Sequence, residues 1–244
     1  MLHSIKARAV RGVAVLAAVA SFANMTVGEA GAMSPQQTTT VGVVRVLADN
    51  VSVGGIQDFW ARTFGNRYVK PKLFYYGTGV WMGNVCGENT WNWLGNAFYC
   101  RDEHAIYIDK NWFQTLINQR GDFAAGGILA HEWGHAMAWQ VQGGRITDFR
   151  EEYHADCFAG MYTNYGYRTG RLTGNDYHEF RNWYSSLEYQ PTHGYPTTRA
   201  KWFDYGYSQY SIVACNLAFN MTAPRTTGEV PPRTHRHGVI TDLV

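Results

Sequence analysis

The chain has 244 residues, 45% hydrophobic and 15% aromatic but only 16% charged. That length fits one globular domain with tails, and the composition excludes a disordered or nucleic-acid-coating chain. Cleavage after Ala32 would remove Lys6, Arg8, Arg11 and Glu29, so 21 basic and 19 acidic residues become 18 and 18. A neutral remainder gives no reason to expect DNA, RNA or an anionic membrane surface as partner.

Residues 1–32 read as a signal peptide. They have a basic start, a short apolar run at 13–20, and small-residue cleavage sites at Ala18-Val19-Ala20 and Ala30-Gly31-Ala32. Cleavage after either Ala20 or Ala32 fits. The run is shorter than the ~20 apolar residues of a spanning helix, so an uncleaved anchor is the alternative to a secreted or cell-envelope protein. No later segment is long enough to span a bilayer.

Residues 33–43 are rich in Ser, Thr and Gln and read as a leader, followed by a domain over 44–217. Apolar residues at helical spacing (Leu47, Val51, Phe59, Trp60, Phe64) predict a helix over 44–64, interrupted at Gly54-Gly55. Short strands are expected at 72–76, 97–100 and 105–108, with a loop over 77–96. Helices are expected at 112–119, at 124–141 before Gly143-Gly144, at 148–167 before Gly170, and from a Thr173 cap to about Leu187. A loop at 190–198 leads to a last helical region through Cys215. Residues 218–244, with His235 and His237, read as a flexible tail. The sum is a predominantly helical α+β domain with a small sheet.

The chemistry concentrates at His131-Glu132-Trp133-Gly134-His135. Two histidines four apart lie on one face of a helix. At that spacing they hold one zinc ion, and the glutamate between them reaches the metal-bound water. The surrounding Ile128, Leu129, Met137 and Trp139 are apolar, and an apolar helix does not bury two His and a Glu without partners. A catalytic zinc needs a third protein ligand and an open position. Ala138 and Val141 exclude a third histidine in the extended H-E-x-x-H-x-x-G-x-x-H pattern.

The next acidic cluster, Glu151-Glu152-Tyr153-His154-Ala155-Asp156, lies on the following helix. Glu152 and Asp156 share a face, which makes Glu152 the expected third ligand and Asp156 the acceptor that fixes a ligating histidine's tautomer. Glu151 and His154 are the rivals, offset toward solvent or substrate. Small residues (Gly134, Ala155, Ala159, Gly160) permit close approach of the two helices. Cys86, Cys100, Cys157 and Cys215 contain no C-x-x-C pair, and an even count in an exported chain favours disulfides, with three possible connectivities. We expect Cys86–Cys100, closing a short loop, and Cys157–Cys215, tying the acidic helix to the C-terminal region.

These segments resemble the bacterial neutral zinc metallopeptidase family. The likeness runs through Phe98-Tyr99-Cys100, Ile106-Tyr107-Ile108-Asp109 and the HExxH run, then Glu152-Tyr153-His154-Ala155-Asp156-Cys157-Phe158-Ala159-Gly160. It ends with Thr192-His193-Gly194, Arg199, Trp202-Phe203 and Gly206. The resemblance implies a zincin-like fold with paired active-site helices, one zinc per chain, Glu152 as ligand and Asp156 behind a histidine. Ala138, Tyr153-His154 and Arg101 depart from the family's usual residues and bear on substrate preference.

The expected activity is hydrolysis of a peptide or protein substrate, as an endopeptidase before an exopeptidase, with Glu132 as general base. His193, on a turn-rich loop, is the expected oxyanion donor, Tyr195 the next candidate, and Arg199 a candidate for holding a substrate carboxylate. The alternative is a non-catalytic exported binding protein with a structural zinc, using Trp81, Trp91, Trp93, Tyr75 and Tyr76 as a binding surface. Glu132 discriminates, because a structural site has four protein ligands and needs no base.

Overall fold

A computed structural model of the chain describes residues 39–48, 53–77, 84–86, 88–89, 95–142 and 149–218. The signal, most of the leader, the tail from 219 onward with His235 and His237, and Trp81, Trp91 and Trp93 lie outside the described residues. The described elements are α1 (Thr40–Ala48), α2 (Ile56–Phe64), β1 (Lys72–Tyr76), β2 (Asn84–Val85), β3 (Glu88–Asn89), β4 (Ala97–Cys100) and β5 (Ala105–Asp109), then α3 (Lys110–Arg120), α4 (Asp122–Gln142), α5 (Arg150–Arg168), α6 (Gly174–Ser185), α7 (Pro196–Gln209) and α8 (Ile212–Ala218). The protein is a mostly helical α+β fold with a small sheet. Among the described residues no helix is long and apolar enough to cross a membrane.

The sheet runs β1-β5-β4. β1 pairs parallel with β5, from Lys72 opposite Ala105 to Tyr76 opposite Asp109. β4 pairs antiparallel with β5, Ala97 opposite Ile108 and Cys100 opposite Ala105. β4 is therefore an edge, and α4 packs alongside it. Asp109 ends β5 and caps α3, its carboxylate accepting from the N–H groups of Asn111 (2.9 Å) and Trp112 (3.2 Å). The β2–β3 hairpin is bonded to the end of β4 through Cys86–Cys100.

The core is organised around α4, in which every residue from Phe123 to Ala138 is buried. A helix that is apolar all round is covered on every side, here by α1, α3, α5, α6 and the sheet. α5 is similarly enclosed, buried without a break from Glu152 to Thr163 between α4 and α7. Small residues set these spacings. A Cβ on Gly134 would lie 2.7 Å from the carbonyl oxygen of Ala155, so α4 and α5 touch through backbone. Across the other side of α5, a Cβ on Gly160 would meet Phe203 O at 2.1 Å, and one on Gly206 would meet Cys157 O at 1.8 Å. Gly160 thus serves the α5–α7 contact rather than the α4–α5 one. Cys157–Cys215 then fastens α8 to α5.

The interruption expected at Gly54-Gly55 separates α1 from α2: Gly54 turns the chain with φ 95° and donates its N–H to Asp58 Oδ2 at 3.1 Å. Two boundaries differ from the sequence reading. Four residues assigned to the leader, 40–43, are the first turn of α1: Thr40 and Val43 are buried, and Thr40 Oγ1 donates to Lys110 O at 2.8 Å. The last helical region breaks in two at Tyr210, whose φ of 46° is left-handed. Tyr76, counted with the exposed aromatics, is buried and donates its hydroxyl to Asn96 O at 2.8 Å.

Candidate metal centre

The α4 histidines face α5. Nε2 of His131 and Nε2 of His135 lie 3.0 Å apart. Glu152, in the first turn of α5, brings Oε2 to 3.2 Å from His131 Nε2 and Oε1 to 3.5 Å from His135 Nε2. Tetrahedral ligands on a zinc at ~2.0–2.1 Å stand about 3.3 Å from one another. The two imidazole nitrogens and the two oxygens of Glu152 thus converge at close to that spacing, and the three residues form a triangular group able to hold a metal ion.

A carboxylate backs one of the two imidazoles. His131 Nδ1 lies 2.8 Å from Asp156 Oδ1. With the ring N–H donated there, Nε2 presents a lone pair to the triangle. Oε2 of Glu152 is buried and meets no donor in hydrogen-bond geometry. Three buried carboxylates, Glu132, Glu152 and Asp156, stand around the one permanent cation, Arg199, so the group is acidic before its titratable imidazoles are counted and favours a bound cation. These donors, two imidazoles and a carboxylate, suit zinc.

Environment tunes each group. Burial works against protonation of His131, but the Asp156 carboxylate outweighs it and lifts its pKa to about 9, so a cation entering the site displaces a proton. Burial would raise the Glu152 carboxyl, yet His193 and the two α4 imidazoles hold it well below the usual range. For Glu132 burial prevails and raises the pKa, with the backbone N–H of Tyr99 on β4 and the two imidazoles partly offsetting it. His193 is lowered, chiefly by burial, with the Glu152 carboxylate opposing.

The cleft beside the triangle encloses about 370 Å³, counting its open mouth. Glu132, His193 and Arg199 line it, together with Asn96 and Ala97 from the sheet edge, Ile128 and Trp183. His193 Nε2 is 3.9 Å from Glu152 Oε2, and its Nδ1 is 2.8 Å from Thr192 Oγ1.

Both rivals of Glu152 sit elsewhere. Glu151 Oε1 bonds Arg101 at 3.0 Å and lies 3.9 Å from Nδ1 of His135, the side of that ring away from the triangle. His154 is fully buried rather than facing solvent or substrate, with Nε2 3.0 Å from Asn216 Oδ1 of α8. Burial lowers its pKa to about 3. The sequence reading missed that α7 and α8 cover the far side of α5. Arg199 is not free to hold a substrate carboxylate either. It is 3% exposed, and its Nε and Nη2 each bond Asp156 at 2.9 Å. Tyr184, which also donates to Asp156, was not anticipated. One signal for both was helical spacing: Arg199 shares a face with Phe203 and Gly206, and Tyr184 with Phe180, all of which are buried.

The family model described as "Putative neutral zinc metallopeptidase" matches residues 18–186. The chain belongs to this family. The match takes in the triangle and Asp156 and stops short of His193, Arg199 and Cys215. Among curated proteins, the chain is 27% identical over 203 residues to the "Uncharacterized protein YpfJ" of Escherichia coli K12, covering 68% of this chain and 69% of the relative. It is 32% identical over 112 residues to "Uncharacterized protein Rv2575" of Mycobacterium tuberculosis, covering 40% and 37%. No solved structure matches the chain.

Proposed function

We propose that this protein is an exported enzyme that hydrolyses peptide bonds at one zinc per chain, held by His131, His135 and Glu152. The observation that carries the reading is the convergence of His131, His135 and Glu152 at ligand spacing beside a cleft lined by the buried Glu132. Zinc bound there supplies a Lewis acid that polarises a carbonyl and lowers the pKa of a water to about 7. Glu132 takes the water's proton and delivers it to the leaving amine; its raised pKa suits both roles. Asp156 holds His131 in the tautomer that leaves Nε2 free. With the Thr192 hydroxyl donating to Nδ1, the His193 proton sits on Nε2, facing the triangle, where it stabilises the oxyanion.

Cleavage within a chain fits better than cleavage at its end. Arg199, the cation placed to grip a terminal carboxylate, is already paired with Asp156. Two disulfides suit an oxidising compartment and support export by the 1–32 signal. The catalytic domain is the body of elements from α1 to α8, with the tail following it.

Glu132→Gln tests the reading. It preserves shape and zinc and removes the base, so hydrolysis of a protein substrate should fall by about 100-fold to 10,000-fold. Undiminished turnover with normal zinc would show that catalysis resides elsewhere. His193→Ala should lower kcat about 100-fold or more at unchanged zinc content, and an unchanged kcat would pass the oxyanion role to Tyr195.

A further inference from the structure

Asp156 is bonded far more heavily than a histidine orienter needs to be. It accepts four hydrogen bonds from three helices, where orienting His131 needs one. Oδ1 accepts from His131 of α4 at 2.8 Å, from Arg199 Nη2 of α7 at 2.9 Å, and from the Tyr184 hydroxyl of α6; Oδ2 accepts from Arg199 Nε at 2.9 Å. The guanidinium lies 5.0 Å from the centre of the Tyr184 ring, and Asp156 itself is 0% exposed. Arg199 Nη2 also stands 3.3 Å from His131 Nε2 and 3.4 Å from Glu152 Oε2. One planar fork therefore touches three residues of the centre, on two helices, from a third.

We propose that Arg199 and Tyr184 are positioning residues of the metal centre: they lock the Asp156 carboxylate so that it holds His131 in the metal-binding tautomer and rotamer. A lone buried carboxylate opposite His131 would be an uncompensated charge, free to rotate. The fork removes that freedom: its two N–H groups fix the carboxylate plane, and its permanent charge compensates the carboxylate. Tyr184, fully buried, supplies a further donor. Substituting lysine keeps the charge and loses the two-point geometry.

The proposal rests on the zinc reading of the site, and zinc affinity by chelator competition tests it without recourse to turnover. Arg199→Ala should bind zinc about 10-fold to 100-fold more weakly, and Arg199→Lys should recover little. Guanidinium added at millimolar concentration should refill the space in Arg199→Ala and restore most of the affinity, whereas sodium chloride at the same ionic strength should not. Tyr184→Phe, which removes one hydroxyl from a shape otherwise kept, should weaken zinc by about 3-fold to 10-fold and change the visible spectrum of the cobalt-substituted protein. It remains informative if Arg199→Ala fails to fold. Wild-type zinc affinity and cobalt spectrum in Tyr184→Phe, or no rescue of folded Arg199→Ala by guanidinium, would overturn the proposal. Absence of zinc from the wild-type protein would instead defeat the metal reading.

Discussion

Gly206→Ala gives the sharpest test of the packing that places Arg199. In the middle of a helix, alanine is favoured over glycine by about 1 kcal/mol. Here the added Cβ would lie 1.8 Å from the carbonyl oxygen of Cys157, where ordinary contact begins at 3.4 Å, a shortfall of 3.4 − 1.8 = 1.6 Å. The obstacle is backbone, so no rotamer change relieves it. α5 cannot retreat, since Gly134 already brings it against α4, and it is bonded to α8 through Cys157. α7 must shift instead, and Arg199, two turns along the same face, is drawn off Asp156. Overpacking of this kind costs about 1–3 kcal/mol, more when the neighbour is rigid, so a net loss of about 2 kcal/mol is expected. With an m-value near ~2 kcal/mol/M, the urea midpoint should fall by about 1 M, and zinc affinity should fall with it. Gly174→Ala is the control. Nothing lies within 4 Å of a Cβ on that exposed first residue of α6, so the same chemical change there should leave stability equal or higher. A Gly206→Ala protein as stable as wild type, or a Gly174→Ala protein equally damaged, would refute the reasoning.

Two further predictions concern stability. Removing Cys157–Cys215, which closes a separation of 58 residues, with Ala at both positions should cost about 4 kcal/mol, against about 3 kcal/mol for Cys86–Cys100, separation 14; urea unfolding measures both, and a loss under about 1 kcal/mol for the longer loop would contradict the expectation. Glu179 sits with Asp122 and Asp176, and burial foremost, then those carboxylates, raise its pKa from 4.5 to about 7. Between those values the native state holds a proton that the unfolded state has released, so this group's contribution worsens as pH rises. Full burial would make that about 3 kcal/mol, and partial exposure reduces it to about 1 kcal/mol. Glu179→Gln should therefore gain about 1 kcal/mol on wild type at pH 8 relative to pH 5; an equal difference at both pH values would refute the shift.

What the sequence made legible follows the physics of each signal. The HExxH helix and the Glu152–Asp156 face were readable because spacing on a helix fixes which side chains meet, and the small residues at 134 and 155 marked where two backbones touch. The α1–α2 break was visible only as a glycine pair, since the apolar period continues across it. His154 was misplaced because a helix embedded on all sides has no solvent face, and its own residues do not say what covers it. Arg199 was placed in the right segment with the wrong partner. A charged residue on the buried face with Phe203 and Gly206 requires an internal counter-charge, but which carboxylate supplies it depends on how α5, α6 and α7 assemble.

The central claim is that His131, His135 and Glu152 together hold one zinc, and metal analysis of the purified protein tests it most directly. Wild type should carry one zinc per chain, and Glu152→Ala, folded by circular dichroism, should lose most of it at the same free zinc concentration. Full retention of zinc by Glu152→Ala, or a wild-type protein that binds none, would contradict the account.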